Sequence, residues 1–235
     1  MNRRSPATTL AVPLLSRVPP VLAPLTFVRL RALLFVLALL PLARLVYRGL
    51  VGELGANPVE FVTRSLGTWA LVWLCVTLTL SPLRWLTDWA WLARLRRMFG
   101  LFCFFYASLH LTSYVGLDQW FAIDAILKDI FKRPYITIGF AAYLLLIPLA
   151  ATSTNAMVRR LGGRSWQRLH RAVYAIAPLA VLHFWWQRAA KNNLGEPLVY
   201  AVVIAFLLGL RALRWWRERQ GSVDSRANSS SMVSR

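Results

Sequence analysis

The chain has 235 residues, 57% of them hydrophobic and only 16% charged, against roughly 25% charged in soluble domains. Such an apolar surplus excludes an ordinary water-soluble globule and requires lipid as solvent. The formal charge of +19 would suggest nucleic acid if the basic groups gathered on one folded face. They are instead dispersed between apolar stretches, which excludes that partner.

In chain order, residues 1–26 carry Arg3 and Arg4 but are interrupted by Pro13, Pro19, Pro20 and Pro24. They offer no unbroken apolar core of the kind a cleaved signal peptide has, and are expected to form a disordered extension. Residues 27–217 read as one domain, an all-α integral membrane protein built as a six-helix transmembrane bundle. Its spans are predicted at 28–47, 66–82, 99–116, 136–152, 171–186 and 197–213. These approach the roughly 20 apolar residues that a hydrocarbon core about 30 Å thick requires, the shorter ones needing tilt or local thinning. The serine-rich residues 218–235 are expected to be a disordered tail.

Placing the N-terminus in the cytoplasm puts 20 of the 28 basic residues on the inner side. They include Arg94, Arg96 and Arg97 in the second loop and Arg159, Arg160, Arg164 and Arg168 in the fourth. Eight remain outside: Arg44, Arg48, Arg64, Lys128, Lys132, Arg133, Arg188 and Lys191. By the positive-inside rule both termini are predicted to be cytoplasmic.

All nine acidic residues lie outside the six spans, which argues against a pump that carries protons on intramembrane carboxylates. Pro148 and Pro178 can kink their helices, but no paired Gly/Pro-broken helices suggest a midplane transport site. Cys75 and Cys103 fall inside spans as small packing residues, and no CxxC or CxxCH pattern accompanies them. Covalent c-type haem is therefore excluded.

The polar groups the membrane does contain are imidazoles. His110 lies in the third span, His170 at the start of the fifth and His183 towards its end. From Phe99 to His110 is roughly 16 Å along a helix, and from Arg171 to His183 roughly 18 Å. Both helices run outward, so the two imidazoles reach similar depth in the outer half of the membrane, as two axial ligands of one porphyrin iron require. Ligation on both faces leaves iron no open position and favours electron transfer over oxygen chemistry. His170 lies roughly 20 Å below His183, near the cytoplasmic face. A spacing of 13 residues puts the two rings about 140° apart around an ideal helix at 3.6 residues per turn. At the depth of His170 the third helix offers only Arg97 and Met98. His170 is therefore left open between a second haem, a quinone or flavin contact, and a shared ligand in another geometry.

Several segments resemble a known family. They are Leu54-Gly55-Ala56-Asn57-Pro58, Ser108-Leu109-His110-Leu111-Thr112-Ser113-Tyr114, Arg133-Pro134-Tyr135, Thr152-Ser153-Thr154-Asn155-Ala156-Met157, and Trp166-Gln167-Arg168-Leu169-His170-Arg171-Ala172-Val173-Tyr174. In order and spacing they resemble the haem-binding membrane subunits of the protein-methionine-sulfoxide reductase system, the MsrQ family, within the ferric-reductase-like transmembrane group. The resemblance covers roughly residues 28 to 215. It implies a multi-pass protein of the bacterial inner membrane with b-type haem associated with His110, His170 and His183. Electrons would come from the quinone pool, or from a flavin on the cytoplasmic side, and pass to a periplasmic molybdenum-containing reductase that repairs methionine sulfoxide. The chain would then supply electrons without being the sulfoxide-reducing catalyst. FMN enters only through the resemblance. The related eukaryotic oxidases carry two histidines on the third span where this chain carries one, which leaves a single haem between His110 and His183 and a second one open.

The remaining motifs have plain structural readings. Pro134 starts a helix while Tyr135 anchors at the interface, although contact with a periplasmic partner is also compatible. Thr152 to Asn155 end the fourth span, where hydroxyls satisfy helix carbonyls or border a quinone or flavin site. Gly162 and Gly163 follow no strand and make a turn rather than a phosphate loop. Trp185, Trp186, Trp215 and Trp216 read as an interfacial belt, with Trp186 also placed to shield haem. The alternative to a haem carrier is a membrane scaffold, or a quinone-binding protein without haem, whose histidines only join helices.

Overall fold

In lipid a backbone must satisfy its own hydrogen bonds, so apolar segments close into helices. The computed structural model describes residues 24–189 and 192–233, and among them there is helix and connecting turn but no strand. The elements are α1 (Pro24–Leu50), α2 (Pro58–Thr87), α3 (Leu92–Ser113) with a π-helical turn at Tyr114–Asp118, and α4 (Ile123–Lys132). They continue with α5 (Pro134–Ala151), α6 (Asn155–Leu161), α7 (Gly163–His170), α8 (Val173–Ala189) and α9 (Gly195–Val233).

Five helical segments among the described residues are long and apolar enough to cross a membrane: Leu25–Leu50, Pro58–Thr87, Leu92–Asp118, Pro134–Ala151 and Gly195–Gln220. The remaining predicted span, the fifth at 171–186, corresponds to α8, which has 17 residues. It is shorter because Arg171 and Ala172 form a turn that separates α7 from α8. The predicted N-terminal extension lies outside the described residues as far as residue 23. At the other end the backbone of α9 runs on to Val233, where the sequence suggests a disordered tail from 218. Pairs one turn apart carry the helix past its apolar part: Arg214 Nε donates to Glu218 Oε1 at 2.8 Å, and the Arg219 guanidinium lies over the Trp215 ring.

Local chemistry sets the helix ends. Asn57 caps α2, its side chain accepting from the Glu60 N–H at 3.2 Å, and Pro58 opens the helix where no donor is needed. Pro134 opens α5 in the same way. Thr152 and Ser153 close α5 by donating to the carbonyls of Pro148 and Leu149, at 2.6 and 2.7 Å.

Two buried clusters hold the bundle. In one, Leu74 and Leu78 of α2 pack with Cys103 of α3, Leu146 of α5, Ile176 of α8 and Ile204 of α9. In the other, Ala38 of α1 and Leu66 of α2 meet Met98, Phe99, Phe102 and Tyr106 of α3. Large apolar side chains left exposed, such as Phe35, Leu144 and Phe206, face the lipid.

α1 joins the rest through one inserted side chain. Pro41 lacks an N–H and opens the helical ladder around it. The fully buried Tyr106 hydroxyl enters that opening, donating to the Ala38 carbonyl at 2.8 Å and accepting from the Leu42 N–H at 3.2 Å. One hydroxyl thus bridges the two backbone groups of an i to i−4 step beside Pro41.

Candidate functional site

α3 and α8 bring His110 and His183 together with ring centroids 6.1 Å apart and ring planes at 75°. Each ring is tied to a different neighbouring helix. His110 Nδ1 lies 2.8 Å from the Thr63 carbonyl of α2, and His183 Nδ1 lies 2.7 Å from the Tyr135 carbonyl of α5. A carbonyl only accepts, so both Nδ1 atoms carry the proton and both Nε2 atoms keep a lone pair. That is the tautomer of a histidine ready to bind metal, oriented by its other nitrogen. Ser113 adds a second link between α3 and α2 beside the His110 tie, its hydroxyl donating to Thr63 Oγ1 at 3.0 Å. Ser108 and Tyr143 share a hydrogen bond of 3.0 Å that joins α3 to α5.

Two glycines allow this approach. A Cβ at Gly67 would lie 3.0 Å from His110 Nδ1, and one at Gly139 would lie 2.5 Å from His183 Nδ1. Neither glycine, nor the carbonyls of Thr63 and Tyr135, is apparent from residue chemistry alone. The signal that was available is a glycine in an apolar span at the depth of a histidine.

The spacing fits iron held between two imidazoles. Two metal–nitrogen bonds of about 2 Å, plus the distance from each nitrogen to its ring centre, put axial rings about 6 Å apart, and 6.1 Å is found. Among the described residues no three His, Cys, Asp or Glu side chains gather as a protein-only metal site. A porphyrin brings four nitrogens of its own and needs only two more. Near the first turns of α2 and the last turn of α8 lies a cavity of about 480 Å³, lined by Asn57, Glu60, Arg64, Thr68, Arg188 and Glu196 among others. Arg64 Nη1 donates to Glu60 Oε1 at 2.7 Å, and Arg188 Nη2 donates to Glu196 Oε2. Arg64 Nη2 and Arg188 Nε are buried without a hydrogen-bond partner, which leaves donors for further carboxylates.

His170 is not with the other two. It ends α7, with Nε2 3.1 Å from Thr152 Oγ1 and its ring stacked on Trp166 at 3.8 Å between centroids. Trp166 Nε1 donates to the Thr152 carbonyl at 2.9 Å. Arg97 donates to Asn155 Oδ1, and its guanidinium lies 5.9 Å from the Trp166 ring centroid. Partial burial, then the charges of Arg97 and Arg96, push the His170 imidazole below its ordinary pKa. This second cluster joins the Arg97 level of α3, the end of α5 and the basic loop.

Comparison with known proteins places this geometry in a family. The ferric reductase like transmembrane component family matches residues 66–181. The protein-methionine-sulfoxide reductase heme-binding subunit MsrQ of Herminiimonas arsenicoxydans is 52% identical over 190 residues, covering 81% of this chain and 87% of that protein. The subunit of the same name from Ralstonia nicotianae is 53% identical over 206 residues, covering 87% and 95% of the two chains. That from Bordetella pertussis is 56% identical over 191 residues, covering 81% and 92%. No solved structure matches the chain. The apolar spans and the transmembrane family together make this a multi-pass bacterial membrane protein. The chain belongs to the MsrQ family of protein-methionine-sulfoxide reductase heme-binding subunits.

Proposed function

We propose that the chain is a haem b electron-transfer subunit that takes electrons from the quinone pool, or from a cytoplasmic flavin such as FMN, and delivers them to a periplasmic molybdenum-containing methionine sulfoxide reductase. The observation that carries this reading is the facing of His110 and His183 at 6.1 Å, each with its Nδ1 proton held by a backbone carbonyl. In that role His110 and His183 would hold the haem iron. The Thr63 and Tyr135 carbonyls keep each Nε2 deprotonated. Arg64 and Arg188 would meet the carboxylates of the group. Haem held by two imidazoles supplies one-electron exchange without an open position for oxygen.

α8 is the fifth of six spans in this arrangement, and both termini are cytoplasmic in the inner membrane, in keeping with the surplus of arginine on that side. His170, Thr152, Trp166 and Arg97 then border the cytoplasmic face, where the neutral imidazole and the guanidinium offer polar contacts to a quinone or flavin donor. The histidine pair lies nearer the periplasm, so electrons cross from one cluster to the other.

The absorption spectrum of detergent-purified protein tests the reading. A sharp Soret band with an alpha band that appears on dithionite reduction is expected, and pyridine haemochrome gives the haem per polypeptide. One per chain assigns the group to His110 and His183, and two places a second on His170. Colourless protein after haem-sufficient expression would leave a scaffold, in which the imidazoles only join α3 to α2 and α8 to α5.

A further inference from the structure

We propose that Gly67 and Gly139 are positioning residues that set the planes of the two axial imidazoles, so that the ligand rings cross nearly at right angles. The inference rests on the reading of His110 and His183 as ligands of one iron. Both rings are seated in the same way. Gly67 follows Thr63 by one helical turn, and Gly139 follows Tyr135 by one turn. In each case the carbonyl that accepts the Nδ1–H belongs to the residue four before the glycine. The ring edge lies where that glycine's side chain would stand, at 3.0 Å for Gly67 and 2.5 Å for Gly139. One seat is on α2 and the other on α5, so the device is used once for each ligand.

The seats matter because nothing intrinsic fixes an imidazole plane. Rotation about the bond to a histidine ring is broad and roughly two-fold. In each seat the hydrogen bond holds one ring nitrogen and the bare backbone receives the edge beside it, so rotation is restricted at two points. The planes that result stand at 75°. In low-spin ferric haem, parallel axial planes split the two iron d orbitals that interact with the imidazole π systems, whereas crossed planes leave them nearly equal in energy. The consequence is a strongly anisotropic electron paramagnetic resonance signal, and a midpoint potential that depends on plane orientation.

A glycine in a membrane helix can also serve only close helix packing. Gly100 is the internal control. It lies on α3 in ordinary contact with Thr77 of α2, at 3.8 Å, and touches neither ring. Low-temperature spectra of the oxidised full-length protein in detergent, with redox titration, should show a strongly anisotropic low-spin signal for the wild type and for Gly100→Ala. Gly139→Ala should lose that signal to a more rhombic or high-spin one with a shifted potential. Gly67→Ala, whose added methyl meets a less severe contact, should shift it less. Gly67→Ala decides the matter alone if Gly139→Ala does not accumulate. A rhombic wild-type signal, or a Gly67→Ala protein with wild-type signal and potential, overturns the inference while leaving the haem reading in place. A wild type without low-spin haem overturns the haem reading itself.

Discussion

His110 and His183 face each other across the centre of the bundle with ring centroids 6.1 Å apart, although neither is hydrogen-bonded to the other. Each is oriented by a third helix, α2 for His110 and α5 for His183. The pair therefore depends on four helices keeping their relative heights. The contacts that set those heights are ordinary: apolar packing of leucines on α2 and α5 with Cys103 of α3 and Ile176 and Ala177 of α8, and the Ser108–Tyr143 hydrogen bond.

Removing either ring should abolish the low-spin haem signature. With His110→Ala or His183→Ala, iron would keep one axial imidazole and become high-spin. Retention would also fall, since both ligands and their helix packing hold a noncovalent cofactor together. Electron paramagnetic resonance and haem content per polypeptide measure both effects. A full low-spin signal in either variant would mean that the depth-matched pair is not the ligand set.

The pairing of His110 with His183 was legible in the sequence because depth follows from residue count at 1.5 Å per residue. Their seats were not, because backbone carbonyls carry no side-chain signature and a glycine in an apolar span reads equally well as packing. The separation of His170 from His183 was legible from their spacing, but not that the two residues stand on different helices. The chain turns at Arg171 and Ala172, so His170 belongs to a short helix of its own. The Tyr106 insertion was also hidden. Pro41 marks a kink in any apolar helix, but only packing shows which hydroxyl bridges the step beside it.

Tyr106→Phe should destabilise the attachment of α1 with little effect on the histidine pair. The substitution removes the atom that serves both the Ala38 carbonyl and the Leu42 N–H. Leaving a buried backbone group unsatisfied costs about 1–3 kcal/mol, and Pro41 hinders the helix from closing over the gap. Thermal unfolding in detergent should move to lower temperature while the haem spectrum stays unchanged. An unaltered melting temperature would show that the hydroxyl contributes nothing to the join.

Reporter fusions test orientation separately. Since the six-span reading of the sequence puts 20 of the 28 basic residues on the side of the termini, a cytoplasm-active reporter fused after Arg219 should be active and a periplasm-active one silent. A reporter fused in the segment between α4 and α5 should show the reverse. A stronger periplasmic signal after Arg219 would invert the bundle and move the histidine pair to the cytoplasmic half.

His170 should matter for electron uptake rather than for the facing pair of His110 and His183. It lies with Trp166, Thr152 and Arg97, apart from the facing pair. Its lowered pKa, from burial and from the charges of Arg97 and Arg96, means that it presents a neutral ring at neutral pH. A neutral imidazole can exchange hydrogen bonds with a quinone or flavin carbonyl, which a partly buried cation under the charges of Arg97 and Arg96 would do only at an energetic cost. His170→Ala should therefore keep the low-spin signal of the His110–His183 centre but slow haem reduction by a reduced quinone or flavin, on the order of tenfold or more if the contact contributes at least about 1.4 kcal/mol to the rate-limiting step. Stopped-flow reduction followed at the Soret band measures the rate, and dithionite, which needs no site, serves as the control reductant. If His170→Ala eliminated the low-spin signal while His183→Ala preserved it, the ligand assignment would pass to His170. If reduction by quinone and flavin were as fast as in the wild type, the His170–Trp166 cluster would have no part in electron uptake.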